Sequence, residues 1–120
     1  ALNWPERAEL PVARLDLAQI ATLSFRAPDL QRYPALRLAR EVMARRGLAG
    51  AAFTAAKEVA LDHFLAGEIG FMDMSAVVET VLEGLNRDFG TNSAIMTLED
   101  VQGMDHLARM RAGEIARARA

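Results

Sequence analysis

Gly50-Ala51-Ala52-Phe53-Thr54-Ala55-Ala56-Lys57-Glu58-Val59-Ala60-Leu61-Asp62-His63-Phe64-Leu65-Ala66 is the run that decides the fold class. Wound at 3.6 residues per turn, its alanines together with Phe53, Val59, Phe64 and Leu65 cover most of the helix circumference, the pattern of a helix surrounded by others. Its many methyl-sized side chains allow neighbouring helices to approach closely. Gly67 follows as a terminator.

The flanking segments supply the partners. Upstream, Pro34 suits the first position of a helix, where its missing N–H costs nothing, and Ala35, Leu38, Ala39, Val42 and Met43 fall on one face. Arg45-Arg46-Gly47 closes that helix with cations at the negative end of the dipole and a glycine beyond. Downstream, Gly67 to Phe71 reads as a short connection. A third helix is expected near Asp73, whose carboxylate would accept from first-turn N–H groups, with Val77, Val78, Val81, Leu82 and Leu85 as its stripe. Asn86 to Ala94, holding Gly90 and two asparagines, reads as a loop. Thr97-Leu98-Glu99-Asp100 offers an N-cap and an acidic first turn for a last helix, with Leu98, Val101, Met104, Ala108 and Ile115 as its apolar face. Short connections favour antiparallel neighbours. The expected architecture is mainly α: an antiparallel four-helix bundle over residues 34–120.

Residues 1–33 read differently. All four prolines lie at or before Pro34, and the short alternations Leu15/Leu17 and Leu23/Phe25 suggest one or two brief strands, or a helical turn from Asp16 to Ala21. A segment of this length with Trp4 and no periodic face is too long for an ordinary connection within a compact domain. It is expected to be an interdomain linker leaning on a surface outside this chain. Beginning at Ala1 and not at methionine, the chain is expected to be a piece of something larger.

Composition narrows the function classes. The 120 residues are 52% hydrophobic and 25% charged, the balance of a globular protein large enough to bury a core. Fourteen bases against sixteen acids leave a net charge of −2, unlike the basic face of a nucleic-acid binder. With no cysteine there is no disulfide, thiolate metal site or cysteine nucleophile. Leu48 to Ala56, the longest nearly apolar run, is too short to span a bilayer, and no signal-peptide pattern opens the chain, so a cytoplasmic protein without membrane or nucleic-acid partners is expected.

Residues able to carry chemistry are sparse. Glu58, Asp62 and His63 bring two acids and an imidazole together, but no Glu-x-x-His motif of a dinuclear bundle occurs, so a polar edge is the better reading than a metal site. His106 follows Asp105 directly, and adjacent residues diverge on a helix. Arg37, Arg40, Arg45 and Arg46 could form a basic patch, yet lack interleaved aromatics and read as a solvated face. Ser24, Ser75 and Ser93 have neither an elbow motif nor a base, and phosphate-binding glycine loops are missing. The six methionines read as core filling. No catalytic, cofactor-binding or metal-ligating residue is expected here. Taken alone, these features also suit a free-standing helical interaction module.

The linear order of motifs carries more information. Asn3-Trp4-Pro5-Glu6-Arg7, Leu15-Asp16-Leu17, Leu23-Ser24-Phe25, Ala27-Pro28-Asp29 and Arg32-Tyr33-Pro34-Ala35-Leu36 resemble the C-terminal part of the 1-deoxy-D-xylulose 5-phosphate reductoisomerase family. Ala55-Ala56-Lys57-Glu58-Val59-Ala60 resembles the family's Asn-Ala-Ala-Asn-Glu run; Ile69, Phe71 and Asp73 fit its Ile-x-Phe-x-Asp pattern; Leu98 to Val101 and Asp105 to Arg109 fit its last helix. Thr54 and Lys57 depart from the pattern, standing where the family usually has asparagines. The resemblance implies a parent enzyme with an upstream NADPH-binding domain, a catalytic domain that also forms the homodimer, a crossing linker and a C-terminal bundle. It implies rearrangement and reduction of 1-deoxy-D-xylulose 5-phosphate to 2-C-methyl-D-erythritol 4-phosphate with NADPH and Mg or Mn, in non-mevalonate isoprenoid synthesis. The family's cofactor, metal and substrate residues lie upstream of Ala1, so none is carried over.

Overall fold

The computed structural model describes residues 3–89 and 96–120. It contains α1 (Leu17–Ile20), α2 (Pro34–Arg45), α3 (Ala49–Leu65), α4 (Phe71–Phe89) and α5 (Leu98–Arg117), and no strand among the described residues. Helices α2 to α5 pack together, with α3 touching all three others. Direction follows from paired residues of α4 and α5. Asp73 meets Arg119 just beyond one end, and a Cβ on Gly84 would lie 3.3 Å from Arg111 Nη1, so the two run antiparallel.

The core is built on size complementarity. α3 contributes Ala52, Ala55, Ala56 and Ala60, and α5 contributes Ala108, Ala112 and Ala116, all fully buried. Into the space these small residues leave, α4 sends Val77, Val81 and Leu85, the bulkiest fully buried side chains. Interiors pack near crystalline density, so alanine faces must be matched by larger side chains opposite.

Each helix end has a local cause. In the residues after α3, the Gly67 N–H donates to the Phe64 carbonyl (2.9 Å) and the Glu68 N–H to the His63 carbonyl (3.0 Å), a Schellman closure made at the φ of +75° that Gly67 supplies. α5 begins with a reciprocal capping box: Thr97 Oγ1 accepts from the Asp100 N–H (3.2 Å), and Asp100 Oδ2 accepts from the Thr97 N–H (2.9 Å).

Several expectations are corrected. The brief strands suggested at Leu15/Leu17 and Leu23/Phe25 are not formed, and the alternative, a helical turn from Asp16 to Ala21, is. Asp16 Oδ1 accepts from the N–H groups of Ala18 (3.0 Å) and Gln19 (3.3 Å), which makes the single helical turn α1, and a lone strand has no edge here to pair with. α4 starts at Phe71, earlier than expected, because Asp73 Oδ2 reaches back to the Gly70 N–H (2.9 Å) instead of capping from the first position. It also continues through Phe89, so residues 86–89 of the stretch expected as a loop are helical, asparagine disfavouring helix only mildly. The remainder of that loop lies outside the described residues. Met43 is 72% exposed, although its neighbour Val42 packs on the core, and Leu98 and Val101 are exposed too.

The segment before the bundle has no core. Every residue from Asn3 to Asp29 is exposed, including Trp4 and Phe25 at 87%. Asp29 ends it with a tight turn, Oδ1 accepting from the N–H groups of Gln31 (2.9 Å) and Arg32 (3.0 Å), which sets Tyr33 and Pro34 at the head of α2. No described helix is long and apolar enough to cross a membrane.

Candidate functional site

The three residues singled out as a conceivable metal site are pulled to different partners. Glu58 Oε2 accepts from Arg109 Nη2 (2.6 Å), joining α3 to α5. His63 Nδ1 pairs with Glu68 across the turn after α3. Asp62 is exposed, its carbonyl taken by the Ala66 N–H (2.9 Å). Among the described residues no three His, Asp or Glu side chains are grouped so as to hold a metal ion, so the residues present do not fit the Mg or Mn the family resemblance implies.

The other candidates are likewise absorbed. Asp105 is bound by Arg109 through Nε (2.8 Å) and Nη2 (3.3 Å), while His106 is exposed, so they form no dyad. The hydrogen bonds to Asp105 and then Glu58 raise the Arg109 pKa further above its already high ordinary value. The supposed basic patch is half neutralised: Arg37 binds Glu79 of α4 (2.5 Å) and Glu41 (2.8 Å), which raise its pKa in that order, and Arg45 lies 3.7 Å from Glu41. Arg40 and Arg46 are exposed. Arg37 and Arg109 reach from helix to helix, whereas Arg45 pairs within α2, and at such exposure each pair contributes little to stability. Ser24 is exposed, and Ser93 lies outside the described residues.

Ser75 belongs to a feature the sequence pattern did not disclose. A groove of about 440 Å³ opens where the start of α2, the middle of α3 and the first turns of α4 converge. Leu38 and Val78 form its buried floor, Phe53 and Met74 its half-buried walls, and Tyr33, Leu61, Phe71 and Met72 an exposed rim. Phe71 is steadied by an edge-on contact with Phe64, ring centres 5.9 Å apart. Two charged residues line it, Arg32 and Lys57, both cationic. The signal available beforehand was Lys57 itself, the chain's sole lysine, at a place where the family usually has asparagine. Apart from Arg32, Tyr33, Lys57 and Ser75, the side chains that line the groove are apolar.

A model of the DXP reductoisomerase C-terminal domain matches residues 1–111. The chain belongs to that family. It is 66% identical over 116 residues to the 1-deoxy-D-xylulose 5-phosphate reductoisomerase of Cereibacter sphaeroides, covering 97% of this chain and 29% of that protein. The corresponding enzyme of Ruegeria pomeroyi is 65% identical over 111 residues, 92% of this chain and 28% of its own length. In three dimensions the chain is similar to the Zymomonas mobilis reductoisomerase solved in complex with NADPH, with a TM-score of 0.79 at 36% identity, over 98% of this chain and 30% of that one. The chain thus spans a little under a third of these family members, and its likeness to them extends through both the exposed segment and the bundle.

Proposed function

We propose that this chain is the C-terminal structural part of an NADPH-dependent reductoisomerase that converts 1-deoxy-D-xylulose 5-phosphate to 2-C-methyl-D-erythritol 4-phosphate with the aid of a divalent metal, and that it carries none of that chemistry itself. The carrying observation is the near-complete match to relatives that bear that name and are more than three times as long. Residues 1–33 act as the interdomain linker and residues 34–120 as a bundle that buttresses the catalytic domain upstream; dimerisation belongs to that upstream part. A cytoplasmic setting, where reduced nicotinamide is available, is part of the same reading. What the bundle's own residues do is mechanical. The buried core of α2 to α5 makes a body against which another domain can rest, and Arg37 and Arg109 link α2 to α4 and α3 to α5 at its surface.

The test compares the 120-residue chain with the parent protein, each given 1-deoxy-D-xylulose 5-phosphate, NADPH and Mg or Mn. The parent is expected to consume NADPH and the shorter chain to leave it untouched. Turnover by the shorter chain would end the non-catalytic reading, and an inert parent would end the assignment of the reaction.

A further inference from the structure

The groove between α2, α3 and α4 combines three properties that together specify an occupant. Its floor and walls are apolar, and four large side chains on its rim, Tyr33, Leu61, Phe71 and Met72, are between 42% and 69% exposed. Concentrated apolar exposure of this kind marks a contact surface. Its charge is one-sided, for Arg32 and Lys57 line it and no acid does. Arg32 leans over the Tyr33 ring, 5.8 Å from its centre. Lys57 forms no ion pair with any described carboxylate, whereas Arg37, Arg45, Arg109 and Arg119 all do.

We propose that this groove is the seat for the part of the parent chain that precedes Ala1, which lays apolar side chains over Leu61, Phe71 and Met72 and sets a carboxylate against Lys57. The proposal rests on the reading of this chain as part of the reductoisomerase. The relatives have some 70% of their length outside the matched region, so a covering body of sufficient size belongs to the same polypeptide. Charge argues against a second copy. A twofold contact sets a patch against itself, and here that would bring Lys57 and Arg32 toward their own counterparts with no acid between them. Lys57, in place of the family's usual asparagine, therefore adds an ionic contact to an apolar seat.

Being the sole lysine of these 120 residues, Lys57 is also the reporter. The full-length parent protein, in its native state, is treated with a carbodiimide that joins a carboxylate directly to an amine, and the linked peptides are mapped by mass spectrometry. The expected product is an amide between Lys57 and an Asp or Glu upstream of Ala1 within one polypeptide. In parallel, acetylation of Lys57 is expected to be at least tenfold slower in native than in urea-unfolded parent. An unlinked Lys57, a link to an acid within residues 3–120, a link to a second copy, or equal acetylation in both states overturns the proposal. NADPH turnover on the same preparation separates the two readings. An active protein with Lys57 free refutes the groove assignment alone, and an inactive protein with the upstream link refutes the reaction alone.

Discussion

Asp100 shows how much one side chain settles when its partner lies three residues away. Its carboxylate accepts from both the N–H and the hydroxyl of Thr97, and those bonds hold its pKa below the usual carboxylate value, the backbone bond being the larger cause. A group depressed on folding stabilises the native state above its unfolded pKa, and that contribution is lost as pH falls through the folded value. Asp100→Ala is therefore expected to lower the melting temperature at neutral pH, with the gap to the unsubstituted chain closing below pH ~4. Thermal melts across that range decide it, and a gap that persists unchanged at low pH would refute the role. This cap could be read directly from Thr97-Leu98-Glu99-Asp100, because its geometry is local. The pairings Glu58–Arg109 and Arg37–Glu79 could not, since their partners are 51 and 42 positions apart and meet only when helices pack.

At the scale of the element, α3 owes its place to its alanines. Ala52, Ala55, Ala56 and Ala60 are wholly buried, and the valines and leucine of α4 take up the space they leave. Ala56→Leu is expected to overpack this contact and cost about 1–3 kcal/mol, read as a lower denaturation midpoint. An unchanged midpoint would mean that Ala56 does not face the core. Periodicity located α2, α3, α4 and α5 and the buried stripe Val77, Val78, Val81, Leu82 and Leu85, because a core-facing helix repeats its apolar positions. It misjudged Met43, Leu98 and Val101. Spacing places a residue on an apolar face, but whether it is covered depends on what packs there, as the pair Val42, packed on the core, and Met43, exposed, shows.

Across the whole molecule, the division is between a packed bundle and a segment with no buried residue. Since Asn3 to Asp29 are exposed throughout, removing residues 1–29 is expected to leave the unfolding free energy of the bundle within about 0.5 kcal/mol, as for other changes at exposed positions. Urea titration of the two chains checks this. A larger loss would show that the segment folds back onto the bundle, as a free-standing interaction module would require. Composition and periodicity by themselves determined that the chain is helical after Pro34 and largely irregular before it, and the order of its motifs determined the family. All of these depend on residue type and short spacing. Tertiary structure alone decided that Glu58 and His63 go to different partners, that Arg37 and Arg109 link one helix to another, and that Tyr33, Lys57, Leu61 and Phe71 enclose one groove. The reason is distance along the chain: a groove shared by three helices is a property of their packing, and no single stretch of sequence contains it.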